Sequence, residues 1–96
     1  MAATLITERD FLATVIAVAE ALGWLTYHTH RSDRSAAGFP DLVLLRPPRI
    51  IFAELKITRG HLTSAQAKWL EALHKVPGNE VHLWTPASPD WRERLA

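Results

Sequence analysis

Apolar residues recur at three- and four-residue spacing from Phe11 through Leu12, Val15, Val18 and Ala19 to Leu22. That rhythm predicts a helix over 8–22. Thr7-Glu8-Arg9-Asp10 reads as an N-cap with an acidic first turn and Asp at N3, a variant of the capping box. Gly23 stops the run at the C′ position. Trp24 to Thr29 has strand composition, and the polar Arg31 to Pro40 stretch, with its Gly and Pro, reads as a loop. Asp41 to Leu45 and Ile50 to Leu55 are short apolar runs on either side of Arg46-Pro47-Pro48-Arg49, a pattern that predicts a hairpin. Thr63-Ser64-Ala65-Gln66 is a second capping box, opening a helix with Ala67, Leu70, Leu73 and His74 at helical spacing. Pro77-Gly78-Asn79 ends that helix, Glu80 to Thr85 alternates as a half-buried strand, and Pro89 to Leu95 suits a short terminal helix. The predicted order is α-β-β-β-α-β with a further helix, in a single domain over 1–96.

The hairpin carries the candidate chemistry. Side chains alternate along a strand, so Glu54 and Lys56 share one face while Ala53 and Leu55 share the other. A carboxylate and an ammonium on an otherwise apolar strand are costly to bury without partners. Asp41 opens the preceding strand, and the tight turn brings its end of the hairpin back beside Glu54. Two carboxylates and a lysine then converge. Phosphodiester hydrolysis calls for such a group, because a hard cation polarises the phosphate and lowers the pKa of an attacking water. Mg²⁺, for which Mn²⁺ can substitute, prefers oxygen ligands and keeps several waters, so one or two carboxylates suffice. A lysine can orient the nucleophile or neutralise charge on the phosphoryl oxygens. By residues alone, a cross-strand surface ion pair worth about 0–1 kcal/mol explains the same three positions.

Composition changes the picture in two places. The chain has no cysteine, which excludes a disulfide framework and thiolate metal sites. There is neither a signal-like N-terminus nor an apolar run of membrane-spanning length, so a cytoplasmic, intracellular protein is expected. The net charge of +1 is unevenly spread. From His28 to Lys75 eight Lys/Arg face four acids, a balance of +4, and the remaining residues balance at −3. A phosphate-binding face in the centre of the chain fits this asymmetry.

The segments Gly38-Phe39-Pro40-Asp41-Leu42, Phe52-Ala53-Glu54-Leu55-Lys56 and Gly60-His61-Leu62-Thr63-Ser64-Ala65-Gln66-Ala67-Lys68-Trp69-Leu70 together resemble the VRR-NUC branch of the PD-(D/E)XK nuclease superfamily. The match runs from about Gly38 to Trp84, and a Gly-x-Leu-Thr-x-x-Gln helix start after the PD…ExK pattern makes it specific. The resemblance implies a restriction-endonuclease-like α/β fold, a mixed sheet flanked by helices. It further implies Asp41, Glu54 and the Leu55 carbonyl as metal ligands and Lys56 as the catalytic lysine. A glutamate of the first helix and a glutamine of the second, Gln66, complete the implied site. Members of similar length occur as isolated domains in phages and act as homodimers on branched DNA; a phage origin would place the protein in the host cell.

Geometry ranks the first-helix glutamates. At about 100° per residue, Glu8 lies at the centre of the Leu12, Val15, Ala19 and Leu22 stripe and Glu20 about 120° away. Glu8 is therefore expected at the site, although a first-turn acid also complements the helix dipole. Gln66 is equally at home as the N3 residue of its capping box. Arg31, Arg34 and Arg59 are the candidate DNA contacts, with a solvated loop as the alternative for the first two. His28 and His30 lack further ligands at zinc spacing and are expected in packing or DNA contact. Trp69 is expected in the core. For Trp84 and Trp91 a core position and a dimer contact both remain open, and the dimer surface is sought around Trp84, Pro86, Pro89 and Trp91. The resulting expectation is a Mg²⁺-dependent, structure-selective DNA endonuclease. Its rivals are a non-catalytic DNA-binding protein on a nuclease scaffold and a winged-helix regulator.

Overall fold

A computed structural model of the chain describes residues 6–29, 36–57, 61–87 and 90–96. Thr7 caps the first helix, α1 (Glu8–Ala21), with the expected reciprocal box: its hydroxyl accepts from the Asp10 nitrogen at 3.0 Å and its nitrogen donates to the Asp10 carboxylate. The helix ends where glycine permits a left-handed turn. Gly23 has φ +89°, and the Gly23 and Trp24 nitrogens donate to the Glu20 and Ala19 carbonyls, which is the Schellman arrangement. Phe11, Val15 and Ala19 form the fully buried stripe; Leu12 and Val18 are partly buried, and Leu22, at the cap, is 41% exposed.

The strands β1 (Leu25–His28), β2 (Leu42–Arg46), β3 (Arg49–Leu55) and β4 (Asn79–Trp84) form one sheet in that order. The first two pairings are antiparallel, and β3 and β4 run parallel. The turn between β2 and β3 is Pro47–Pro48, with a cis peptide bond. The parallel pair needs a crossover, supplied by α2 (Ser64–His74), and α3 (Asp90–Leu95) follows β4. The predicted mixed α/β sheet flanked by helices is observed. A winged helix does not account for four strands with a parallel pair.

The two faces of the sheet differ. Leu42, Leu44, Ile51, Ala53, Leu55 and Trp84 turn towards α1 and α3 and make the core with Phe11, Val15, Ala19, Trp24, Trp91 and Leu95. Trp91 meets Phe11 edge-on at 5.8 Å and lies 6.5 Å from Trp84. Trp84 and Trp91, only 1% and 4% exposed, are core residues and offer no dimer surface; Pro86 is partly buried, and Pro89 lies outside the described residues. On the other face α2 has no fully buried residue. It leaves Leu25, Tyr27 and Leu45 exposed on β1 and β2.

Arg46 and Arg49, counted above towards a phosphate-binding face, are engaged elsewhere. Both guanidinium groups lie over the Trp24 ring, at 4.5 and 5.0 Å. Arg46 donates to the carbonyls of Leu22 and Ala96, and Arg49 donates to that of Arg94 and forks onto Glu80 with two 2.7 Å bonds. Those bonds hold the Glu80 carboxyl below its usual pKa. The pair fastens the C-terminal helix to the end of the sheet remote from Asp41 and Glu54. Among the described residues no helix is long and apolar enough to cross a membrane.

Candidate active site

The antiparallel register pairs Leu42 with Ala53, so Asp41 and Glu54 face one another at the next step. Asp41 is fixed by its own hairpin: the Leu55 backbone nitrogen donates to Asp41 Oδ2 at 2.9 Å. The Asp41 carbonyl accepts from Thr29 of the neighbouring chain segment, which holds the entry to β2. Glu54 is 2% exposed, the one buried charged residue among those described. Gln66 Nε2 donates to Glu54 Oε2 at 3.0 Å, and Lys56 Nζ lies 3.7 Å from the same oxygen.

Burial pushes the Glu54 pKa up to about 7, and the Asp41 charge pushes the same way. Lys56 opposes the rise, while a hydrogen bond with Asp41 and the charge of Glu8 add to it. An acid is being held where its ionised form lacks sufficient positive company. A buried carboxylate of this kind lowers stability unless a cation answers it.

Glu8 is exposed at the start of α1, yet lines the same cavity of about 280 Å³ as Asp41 and Leu55, together with Arg9 and Leu12. Glu20 is far along the helix and accepts from the Thr26 hydroxyl at 3.0 Å. The helical phase therefore places Glu8, and not Glu20, at the cavity. Arg9 carries no sequence signal beyond its place in the first turn of the helix.

Gln66 does both things open to it. Its carbonyl oxygen accepts from the Thr63 nitrogen at 2.9 Å, closing the capping box, while its amide nitrogen reaches Glu54. Gly38 makes that reach possible. Its φ is +84°, and a Cβ there would collide with the backbone of Ala65 and Gln66, so the segment before Asp41 lies directly on the start of α2. Trp69, expected in the core, is only partly buried and meets Phe39 edge-on at 5.1 Å. Arg31, Arg34 and Arg59, the candidate DNA contacts, lie outside the described residues, as does His30.

The oxygens brought together here are the carboxylates of Asp41 and Glu54; Leu55, whose carbonyl the resemblance implies as a further ligand, lines the cavity beside Asp41. Such a set suits a hard cation that retains waters, and the uncompensated charge of Glu54 fits a positive occupant. Among the described residues no three His, Cys, Asp or Glu side chains are clustered to hold a metal on their own. Two carboxylates with a backbone carbonyl and waters would be the available coordination.

The family described as "VRR-NUC domain" matches residues 7–84, from the cap of α1 to the end of β4. A solved structure described as "VRR_NUC domain" superposes with a TM-score of 0.66 at 22% identity, covering 92% of this chain and 88% of its own. A second, described as "VRR_NUC domain protein", gives 0.67 at 20% identity, covering 85% and 79%. Both show the same fold. None of the curated proteins matches the chain. On the family match and the shared fold, the chain belongs to the VRR-NUC domain family, a family of nuclease domains.

Proposed function

We propose that the protein is a Mg²⁺-dependent DNA endonuclease, hydrolysing phosphodiester bonds at Asp41, Glu54 and Lys56 and selecting branched DNA by its shape. One observation carries the reading: Glu54 is buried beside Asp41, held by Gln66 and Lys56, with its pKa raised to about 7. Ionised and buried, such an acid weighs against the fold, and a bound cation would relieve it.

Asp41 and Glu54, with the Leu55 carbonyl, would hold Mg²⁺, and Mn²⁺ could take its place. The bound ion would polarise the phosphate and lower the pKa of the attacking water. The chain's own contribution is positional. The Leu55 nitrogen and the Gln66 amide each fix one oxygen of a carboxylate, which sets both side chains before substrate arrives. Lys56, 21% exposed, reaches Glu54 from the solvent side, where its ammonium can orient the water and offset charge gathering on the phosphoryl oxygens. Glu8 adds a third negative charge across the cavity. Water attacks phosphorus as the bond to the leaving oxygen breaks; the water gives up a proton to solvent and the leaving oxygen takes one up to become a strand-end hydroxyl, with no covalent enzyme intermediate.

A homodimer belongs to this reading, since one small domain contacts few phosphates and two copies would place two sites in fixed relation. Light scattering at micromolar concentration tests it, with about twice the chain mass expected. A protein that binds DNA without cutting it, on the same scaffold, is the second reading. Incubation of branched and linear DNAs with and without Mg²⁺ separates the two: cutting that requires the ion supports the endonuclease, and binding without cutting supports the rival.

A further inference from the structure

On the side of α2 next to Gln66, the residues Ala65, Lys68, Trp69 and Ala72 form a groove with Ala37. Its volume is about 400 Å³ and its walls are almost wholly apolar. That size falls in the roughly 300–1,000 Å³ range of pockets that take small organic groups. The groove is built from the same junction as the active site. Gly38 lays the 36–39 segment on the start of α2, Gln66 of that helix holds Glu54, and Phe39, two residues before Asp41, braces Trp69. The groove and the active site are therefore linked through the start of α2 and the 38–41 segment.

The rim is not neutral. Lys68 is exposed and, among the described residues, enters no ion pair, whereas Lys75 at the far end of the helix is paired with Glu71 at 3.3 Å. An aromatic wall, small alanines that leave room beside it and one free ammonium match what grips a single-stranded nucleotide. The base stacks regardless of its identity, and the cation takes the phosphate. A paired base inside a duplex cannot enter such a groove.

We propose that this groove seats an unpaired base of the DNA strand next to the cut, stacked against Trp69 with Lys68 on its phosphate. The inference rests on the nuclease reading and adds to it the feature that is selected, a single-stranded nucleotide beside the scissile bond.

The test uses the full chain and two labelled probes, a short oligothymidylate and a blunt duplex, with binding read by fluorescence anisotropy without metal. Trp69→Ala also removes the contact with Phe39, so two exposed positions serve better. Ala72→Leu fills the groove and should weaken oligothymidylate binding about tenfold while duplex binding stays within twofold. Lys68→Ala should lower the slope of log affinity against log salt for the oligothymidylate by about 0.7, the contribution of one phosphate on a single strand. Equal losses on both probes, or no loss on either, would overturn the proposal. So would a fall in oligomeric mass of Ala72→Leu, since the groove would then be holding a second copy of the chain. The wild type with Mg²⁺ keeps the two readings apart. If it cuts DNA while both variants bind like wild type, the groove proposal alone fails. If it cuts nothing while the groove still selects single strands, the nuclease reading fails, and with it the placement beside a cut, while the single-strand seat at the groove stands.

Discussion

The Gln66 side-chain nitrogen lies 3.0 Å from the Glu54 carboxylate while its oxygen, 2.9 Å from the Thr63 nitrogen, closes the capping box of α2. One side chain thus joins the start of a helix to the buried acid of β3. The two roles separate by mutation. Thr63→Ala removes the cap and leaves the Glu54 contact, so it should cost about 1 kcal/mol of stability and little activity. Gln66→Ala should cost a similar amount of stability and lower cleavage at least tenfold further. Thermal melts and rates measured side by side decide, and equal rate losses would reduce Gln66 to a cap.

The two glutamates of α1 make a paired comparison. Glu8 lines the cavity with Asp41 and Leu55, whereas Glu20 only accepts from the exposed Thr26 hydroxyl. Glu8→Gln should weaken Mg²⁺ binding or slow cleavage several-fold, and Glu20→Gln should leave the rate within twofold. Metal titrations of the cleavage rate measure both, and the reverse ranking would contradict the placement.

Lys56 offsets part of the charge gathered on Glu54. Lys56→Met keeps the apolar stem and removes the ammonium, so the fold should survive while turnover falls by about two orders of magnitude or more. Single-turnover rates at saturating DNA check this. A rate within a few-fold of wild type would make Lys56 a surface residue.

Glu54 gives the metal-free protein a pH dependence of definite sign. Its folded pKa of about 7 lies above that of an unfolded chain, so the folded state holds the extra proton between about pH 4.5 and 7. Stability should fall as pH rises through that window and stay lowered above it, by an amount on the order of 3 kcal/mol. Glu54→Gln keeps the shape and a carbonyl for Gln66, and removes the titration. In EDTA the variant should melt higher than wild type at pH 8 and close to it at pH 4.5, while losing cleavage. A lower melting temperature at pH 8 would show that the ionised carboxylate supports the fold.

Most of the fold was legible because local signals were strong. Thr7 with Asp10, Gly23, and Thr63 with Gln66 mark helix ends through hydrogen bonds between near neighbours, and each boundary fell within a residue or two. The facing of Asp41 and Glu54 followed from hairpin geometry, which sequence spacing determines. What the sequence hid depends on contacts between distant segments. Trp84 and Trp91 look alike as surface anchors or core until α1 brings Phe11 to them. Arg46 and Arg49 count in sequence only towards the positive charge of the central segment, until the C-terminal helix offers them carbonyls and Glu80 offers a carboxylate. Trp69 reads as core until α2 proves to lie on the surface of the sheet. The Gly38 contact has no local signature beyond the glycine itself.

The most direct test of the account is Mg²⁺-dependent cleavage by Asp41→Ala and Glu54→Ala beside the wild type, on one branched DNA, with gel-shift binding and circular dichroism on the same samples. The site predicts that wild type cuts with Mg²⁺ and not with EDTA. Both variants should remain folded, bind the DNA about as tightly and leave it uncut. Cleavage retained by both variants in Mg²⁺, or a wild type that binds the branched DNA and never cuts it, would contradict the claim that Asp41 and Glu54 form the active site of a nuclease.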